Sequence, residues 1–215
     1  MKVSPAKVNI LKRVRNALSQ PVQLPFPQAE GNRSLFHADQ QEPEIVFAEN
    51  FTKLGGKFIF CESYRELAGT LKQLAETKQW KHVVCKELVL LHELESYLLG
   101  FINPPSPTSE LDGGITTCEC LVARTGSVVI SSAQPSGRTG SIFPPVHIVI
   151  AYLNQVVWDI RDALVLVKEK YNGELPSMVS LQTGPSRTAD IEKTLVVGVH
   201  GPGEVFVFLL DHDLL

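Results

Sequence analysis

The sequence predicts an α/β protein with a mostly parallel sheet in three layers, preceded by an N-terminal helical arm. Apolar runs typical of buried strands alternate with amphipathic helical patterns along most of the chain. Two such runs enclose one helix at the length of a parallel βαβ unit. The composition is that of an ordinary globular protein, with 44% hydrophobic and 20% charged residues among 215. We therefore expect one principal domain with helices on both faces of its sheet.

The first 43 residues differ from the rest in composition. Basic and apolar residues alternate at helical spacing and predict a basic amphipathic helix: Lys2, Lys7, Val8, Leu11, Lys12, Arg13, Val14, Arg15 and Leu18. Four prolines then interrupt the segment Gln20–Pro43, which predicts a linker or an arm. The expected domains are thus residues 1–43 and residues 44–215.

The first 43 residues also indicate the cellular location of the protein. It lacks the continuous apolar core of a signal peptide, and no later run approaches the roughly 20 apolar residues of a membrane span. We expect a cytoplasmic protein. A mitochondrial transit peptide is the less favoured alternative, because the helix is short and poor in serine.

From Glu44 the apolar spacing predicts a helix that ends at Gly55–Gly56. Ser63 and Glu66 have the spacing of a capping box, which marks the start of a further helix. The strands and helices expected in this half are strand 57–62, helix 63–78, strand 82–86 and helix 88–99.

The second half repeats the alternation without repeating the sequence. Its expected elements are strand 126–132, strand 147–152, helix 156–171, strand 177–183 and strand 204–210. The count of about six strands supports the predicted sheet.

The charge and the cysteine content argue against a nucleic-acid-binding protein and against a metal or disulfide site held by cysteines. The formal net charge of −3 gives no general attraction to nucleic acid, although binding through the basic first helix stays an alternative. The four cysteines, at positions 61, 85, 118 and 120, form no Cys-x-x-Cys pair. We expect free thiols, no metal site and no cofactor held through a cysteine motif.

The stretch Thr183–Glu192 is the first candidate site. The sequence predicts that a strand ends at Thr183 and that a helix begins near Ala189, capped by Ser186 or Thr188. Free N–H groups at a helix start, together with Arg187, suit a carboxylate or phosphate. The alternative is an ordinary helix start, in which acidic side chains complement the helix dipole. The candidate ligand-binding residues here are Gly184, Ser186, Arg187, Thr188 and Asp190.

Three further segments supply candidates. The glycine-rich segment Gly198–Gly203 contains His200, the candidate catalytic residue, although a lone loop histidine is often structural. If Arg138 and Arg187 converge, they form a doubly basic anion site. The candidate binding residues of these segments are Arg124, Thr125, Gly126, Ser127, Arg138, His147, His200 and Gly201.

Several common catalytic motifs are missing from the sequence. It contains no Gly-x-Gly-x-x-Gly after a strand, no Gly-x-x-x-x-Gly-Lys-Ser, no Gly-x-Ser-x-Gly and no His-Glu-x-x-His. The standard dinucleotide, P-loop, serine hydrolase and zinc protease interpretations therefore lose their support.

The strings Gly-Pro-Ser-Arg-Thr-Ala-Asp (184–190) and Gly-Val-His-Gly-Pro (198–202), preceded by Arg124–Ser127 and Pro144–His147, resemble the LUD domain of the lactate utilization protein C family. The resemblance is strongest over Gly113–Asp211. It implies a fold similar to the sugar-phosphate isomerase and CoA-transferase group. It also implies a role in the oxidation of L-lactate to pyruvate, beside two partner proteins that carry iron–sulfur clusters.

One position departs from the family pattern. Members commonly have glutamate where this chain has Arg124, so the resemblance does not carry a catalytic carboxylate to this loop, and Glu119 is the nearest one remaining. The first hypothesis is a non-catalytic or accessory subunit that binds a small carboxylate, phosphate or cofactor. The alternative is a free-standing enzyme of isomerase or CoA-transferase type that acts on a phosphorylated or CoA-linked metabolite.

Overall fold

The computed structural model describes residues 5–19, 41–97, 100–103, 111–189 and 195–211. The chain divides into two compact units, Met1–Asp39 and Gln40–Leu215, and the boundary expected at residue 43 remains a prediction. In the first unit, helix α1 (Pro5–Leu18) confirms the predicted basic helix. The expected arm lies outside the described residues as far as residue 40. No helix in the described ranges is long and apolar enough to cross a membrane.

Within the described residues, the second unit contains four more α-helices, a short 3-10 helix (Leu153–Gln155) and twelve strands. The helices are α2 (Pro43–Lys53), α3 (Tyr64–Lys78), α4 (Leu88–Glu95) and α5 (Ile160–Lys170). The strands are β1 (Lys57–Cys61), β2 (Val83–Cys85), β3 (Ile102–Asn103), β4 (Gly113–Thr116), β5 (Cys120–Val122), β6 (Ser127–Ser131), β7 (Val146–Tyr152), β8 (Val156–Val157), β9 (Val179–Gln182), β10 (Arg187–Ala189), β11 (Leu195–Val197) and β12 (Glu204–Leu210).

A six-stranded sheet forms the centre of this unit, in the order β1-β12-β7-β4-β2-β3, and all its pairs are parallel. Strand β7 is buried along its whole length, as strands covered on both faces must be. Its side chains alternate between two clusters: Ile148 and Ile150 pack with α3 and α4, whereas Val149 and Ala151 pack on the other side. The predicted parallel α/β sheet is confirmed.

The second face of the sheet differs from expectation. It is covered by α2, through Phe47 and Phe51, and by a second sheet of order β8-β5-β6-β9. Helix α5 packs on the far side of that second sheet through Ala163 and Val167. The layers are therefore helices, parallel sheet, second sheet and helix, instead of one sheet between two helical layers.

Two predicted strands belong to this second sheet. β6 pairs antiparallel with both β5 and β9, because a short turn at residues 123–126 folds it back on β5. β4 and β5 were not predicted; Gly113–Thr116 begins with two glycines, which weaken a strand pattern.

Helix boundaries follow the capping chemistry. The Ser63 hydroxyl accepts a hydrogen bond from the Glu66 backbone N–H, while the Glu66 carboxylate accepts one from the Glu62 N–H. α5 begins at Ile160, four residues later than predicted, because Asp159 caps it and residues 156–157 form β8 instead. α4 ends at Glu95, four residues before the expected end.

Candidate functional site

The segment that follows β9 forms a strand where the sequence predicted a helix. Residues 187–189 pair antiparallel with residues 195–197, so Ser186 and Thr188 cap no helix near Ala189 and that prediction is wrong. The hairpin forms because the apolar residues 195–197, two of which are β-branched valines, supply a strand partner. Asp190, together with Glu192, lies outside the described residues.

Ser186 is joined to the glycine-rich segment 198–203. Its N–H donates to the Pro202 carbonyl at 2.9 Å, and its carbonyl accepts from the Gly198 N–H at 2.9 Å. A Cβ on Gly201 would lie 3.0 Å from the Ser186 Cβ, so this pair packs closely. The structure thus brings together two of the segments that the sequence singled out, with the His200 side chain exposed beside them.

Arg187 and Gly184 both contact the C-terminal end of α2. The exposed Arg187 guanidinium donates through Nη2 to the Leu54 carbonyl at 2.7 Å. Gly184 has φ +92°, and a Cβ there would lie 2.9 Å from the Leu54 oxygen. This loop therefore satisfies a carbonyl that the helix end leaves without an intrahelical partner.

The loop Arg124–Ser127 contacts the same helix end. The Asn50 Nδ2 donates to the carbonyls of Ala123 and Arg124, at 3.0 and 3.2 Å. Gly126 has φ +60°, and a Cβ there would lie 2.5 Å from the Phe51 nitrogen. Both motif loops converge on the end of α2, and their glycines permit that close approach.

A short row of hydroxyls links these loops. The Thr125 and Ser127 hydroxyls share a hydrogen bond of 2.8 Å, and Ser127 shares another of 2.9 Å with Thr183. Ser127 is buried and belongs to β6, while Thr183 directly follows β9. The hydroxyls thus tie the adjacent ends of two antiparallel strands.

The charge of the Arg124 guanidinium is compensated by the Asp159 carboxylate. Its Nε donates to the Asp159 Oδ2 at 2.5 Å, and Asp159 in turn caps α5. The bond from Arg124 holds the pKa of the Asp159 carboxyl below its ordinary value. Arg124 is therefore engaged in an ion pair within the fold.

Arg138 lies far from Arg187. Its Nη2 donates to the Ser177 hydroxyl at 2.9 Å, before β9 begins, whereas Arg187 follows the other end of that strand. Because an extended chain advances ~3.3 Å per residue, the stretch from Ser177 to Thr183 spans roughly 20 Å. The two arginines do not form a doubly basic site.

His147 is fully buried in β7, between the two sheets. Its Nε2 lies 2.9 Å from the Thr116 hydroxyl. Burial lowers the pKa of His147 to about 4. The side chain of Gln182 beside the ring opposes this shift. Among the described residues, the His147 Nδ1 nevertheless has no hydrogen-bond partner of normal geometry. At neutral pH the His147 ring is uncharged and buried, so it contacts neighbouring side chains of the protein such as Thr116.

Glu119 is saturated by donors from the fold. Its carboxylate accepts from the Ser131 hydroxyl at 2.5 Å, the Tyr171 hydroxyl at 2.8 Å and the Lys170 Nζ at 2.7 Å. Burial favours the protonated form, but these bonds outweigh it and leave the pKa of Glu119 below its ordinary value. This carboxylate ties α5 to the second sheet.

Sequence reasoning missed a polar group at the carboxyl edge of the parallel sheet. The nearly buried Glu87 accepts from the Thr117 N–H at 3.3 Å and from the Thr117 hydroxyl at 3.1 Å. The Gln134 Nε2 donates to that same hydroxyl at 3.2 Å. The sequence places Glu87 just beyond the predicted strand 82–86. Because ligands bind beyond the carboxyl ends of such strands, this position could have identified Glu87 as a candidate.

The cysteines and the clefts lie apart from these loops. All four cysteines are buried free thiols, as predicted, and burial raises their pKa values, to about 11 for Cys61 and Cys85 and about 12 for Cys120. No three His, Cys, Asp or Glu side chains are grouped as metal ligands in the described ranges. Clefts of about 490 and 680 Å³ open beside α3 and α4, and no candidate residue lines either one.

The parallel central sheet and its helices define the class of this chain as an α/β protein. The LUD domain model matches residues 108–210, which include all the motif segments discussed above. This region of the chain is similar to the LUD domain and to lactate utilization protein C.

Three comparisons describe these relatives. Lactate utilization protein C of Bacillus licheniformis is 41% identical over 91 residues, or 41% of this chain and 38% of that one. An uncharacterized protein of Neisseria meningitidis serogroup B is 35% identical over 105 residues, or 49% of this chain and 45% of that one. The match thus spans less than half the length of these curated relatives. A crystal structure of a DUF162 family protein from Deinococcus radiodurans has a TM-score of 0.58 at 19% identity, over 81% of this chain and 99% of that one, and so shows the shared fold.

Proposed function

We propose that this chain acts in lactate utilization, as an accessory component in the oxidation of L-lactate to pyruvate that binds a small anion or a cofactor. The relatives named lactate utilization protein C support the process. The observation that carries the binding role is the junction of Ser186 with the segment 198–203, beside the exposed Arg187.

The chemistry of this junction suits a carboxylate or a phosphate. Arg187 carries five N–H donors in a planar fork, and the Leu54 carbonyl uses one of them. The hydroxyls of Ser186 and Thr188 and the imidazole of His200 supply further donors nearby in the chain. The proposed anion contacts are therefore Ser186, Arg187, Thr188, His200 and Gly201, without Arg124, Arg138 or His147.

We further propose that electron transfer is left to partner proteins that carry iron–sulfur clusters. The four thiols of this chain are buried, and their raised pKa values oppose the thiolate form that ligates iron. The expected cytoplasmic location belongs to the same proposal.

A free-standing isomerase or CoA-transferase type of enzyme is the second candidate. The observation that favours it is Glu87, which is 6% exposed and bonded to Thr117 at the carboxyl edge of the parallel sheet. That edge is where α/β sheets bind their ligands. Turnover of a phosphorylated or CoA-linked metabolite by the purified chain, lost in Glu87→Gln, supports this candidate over the accessory role.

Thermal shift of the purified chain tests the binding role. Lactate, pyruvate, sugar phosphates, CoA, flavins and nicotinamide nucleotides are each added to the wild type, to Arg187→Ala and to Arg138→Ala as the matched control. A ligand at a hundredfold excess over Kd stabilises by about 2.7 kcal/mol. We expect a shift that Arg187→Ala removes and Arg138→Ala retains. A shift that both variants retain would place the ligand elsewhere.

Co-purification tests the accessory role. The tagged chain is mixed with purified iron–sulfur partner proteins of a lactate-oxidising system, and the complex is resolved by size. Migration as separate species at micromolar concentration would count against the proposal.

A further inference from the structure

The described side chains of helix α1 are exposed on every face. They are those of residues 7–16, and none of them is buried. Four are apolar and each is at least 43% exposed: Val8, Ile10, Leu11 and Val14. An isolated helix of 14 residues is marginal in water. A partner that buries these apolar side chains would therefore stabilise the helix.

The apolar side chains of α1 are grouped between two arginines. Because each helical residue advances by about 100°, Ile10, Leu11 and Val14 fall within an arc of about 100°. Arg13 borders this arc on one side and Arg15 on the other. An apolar arc with basic residues beside it is typical of a helix that lies in the interface of a membrane.

Positive charge is concentrated in the first compact unit. Met1–Asp39 contains six lysines and arginines against Glu30 and Asp39, which gives a formal charge of +4. Since the whole chain carries −3, Gln40–Leu215 carries −7. Helix α1 holds four of these basic residues and no acidic one: Lys7, Lys12, Arg13 and Arg15. Lys7 falls within the apolar arc, where the stem of a long basic side chain can cover apolar surface.

Helix α5 lacks this combination of features. It also exposes two apolar side chains, Leu164 and Val165, at 43% and 48%, the fractions found for Leu11 and Val14. Its charges are mixed, however, with three basic and two acidic residues. It is also packed on the second sheet through other residues. The exposed apolar residues of α5 therefore provide a matched control for those of α1.

We propose that α1 docks the protein on an anionic lipid bilayer and lies in the plane of its interface. Ile10, Leu11 and Val14 enter the boundary of the acyl chains, while Arg13 and Arg15 contact lipid phosphates on either side. A nucleic acid would use the positive charge but not the apolar arc, so the observations favour the bilayer. The proposal is independent of the lactate-related one, because it involves none of the same residues.

Vesicle co-sedimentation of the full chain tests this proposal. The probes are vesicles of phosphatidylcholine alone and vesicles in which roughly 30% of the lipid is phosphatidylglycerol. We expect a partition constant of about 10⁴ M⁻¹, comparable to that of a single myristoyl chain, so about 1 mM of the anionic vesicles should sediment most of the protein. Binding should fall at roughly 0.5 M salt, which screens the charges.

Variants of the apolar arc test its contact with the acyl chains. Leu11→Gln with Val14→Gln should weaken vesicle binding at least about tenfold, because the apolar area that enters the bilayer is lost. Leu164→Gln with Val165→Gln should leave the binding unchanged. Glutamine is a good helix former, so the change at α1 acts on the contact and not on helix propensity.

Variants of the charges test the contact with lipid phosphates. Arg13→Gln with Arg15→Gln should weaken binding about thirtyfold at low salt, since each basic residue near an anionic surface contributes about fivefold. Arg161→Gln with Lys168→Gln removes the same charge from α5 and should leave the binding unchanged.

Several outcomes would overturn the proposal. They are no sedimentation with about 1 mM of the anionic vesicles, equal sedimentation with phosphatidylcholine alone, no effect of the changes at Leu11 and Val14, or an equal loss in the α5 variants. A duplex DNA that the chain binds in place of vesicles, with an affinity that the apolar changes leave intact, would assign α1 to nucleic acid instead.

Discussion

The Nε of Arg124 lies 2.5 Å from the Oδ2 of Asp159, and this ion pair joins the turn between β5 and β6 to the first turn of α5. The second oxygen of Asp159 accepts from the Arg161 N–H at 3.1 Å, so one carboxylate serves both the pair and the helix cap. The Arg124 guanidinium thus has a carboxylate partner inside the fold.

Arg124→Ala should lower the free energy of unfolding by about 1 kcal/mol, because a partly exposed, well-aligned pair is lost. A double-mutant cycle with Asp159→Asn, followed by denaturant unfolding, should give a coupling of about 0.5–1 kcal/mol at pH 7. The folded pKa of Asp159 is lowered, so the coupling is present above its unfolded pKa and disappears as pH falls through the folded pKa.

The control for that cycle is Arg161→Ala on the same helical turn, whose side chain is exposed. Zero coupling between Arg124 and Asp159 at low salt would show that the pair contributes nothing to stability.

His147 should make the protein less stable in mild acid. Its folded pKa of about 4 lies below the ordinary value of 6.5, so between these pH values the unfolded chain binds the proton and the native chain does not. This contribution is complete above pH 6.5 and is lost as pH falls toward 4. We expect the free energy of unfolding to be about 2 kcal/mol lower at pH 5 than at pH 7 from this group alone.

Denaturant unfolding at the two pH values measures the loss. His147→Gln should remove this part of the pH dependence, whereas the exposed His92→Gln should retain it. An unchanged pH dependence in His147→Gln would assign the acid sensitivity to other groups.

Gly126→Ala should destabilise the protein more than Gly137→Ala does. Both glycines have φ +60°, so alanine costs each about 1 kcal/mol in backbone strain. At Gly126 the new Cβ also meets the Phe51 nitrogen at 2.5 Å, whereas at Gly137 nothing lies within 4 Å. We expect an additional loss of about 2 kcal/mol at Gly126, measured by chemical denaturation. An equal loss of unfolding free energy at both positions would mean that α2 shifts to accommodate the new Cβ without loss of stability.

The four cysteines should resist thiol reagents in the native protein. A thiol with a pKa of about 11 is only about one part in a thousand ionised at pH 8, and burial also blocks access. A colorimetric disulfide reagent should react slowly with native protein and rapidly with four equivalents in guanidinium chloride. Rapid labelling of any native thiol would reveal local opening.

The sequence predicts those parts of the fold that depend on local pattern. The apolar runs at β1, β2, β7 and β12 and the capping box at Ser63 are readable because each signal lies within a few residues. The second sheet is not readable in this way. Whether β6 pairs with β5 or joins the parallel sheet depends on the turn at residues 123–126 and on the distant β9.

The candidate site shows the same division. Glycine, proline and hydroxyl residues indicate the loops 124–127, 184–188 and 198–203 as candidate positions, and the structure joins the last two through Ser186. The end of α2, which contacts the loops 124–127 and 184–188, lies more than 65 residues away from both along the chain and carries no matching signal. The strand at Arg187 was mistaken for a helix because serine, threonine and proline favour both a helix start and a turn before a strand.

The position of β12 between β1 and β7 sets an order for assembly during synthesis. Residues 57–61 pair with residues 206–210, so β1 has no partner among the described strands until β12 has been synthesised. At an elongation rate of ~5–20 residues per second, β1 waits roughly 7–30 seconds for β12. During that interval Phe58 and Ile59 are open to other chains, and we expect nascent molecules stalled before Glu204 to be strong chaperone clients.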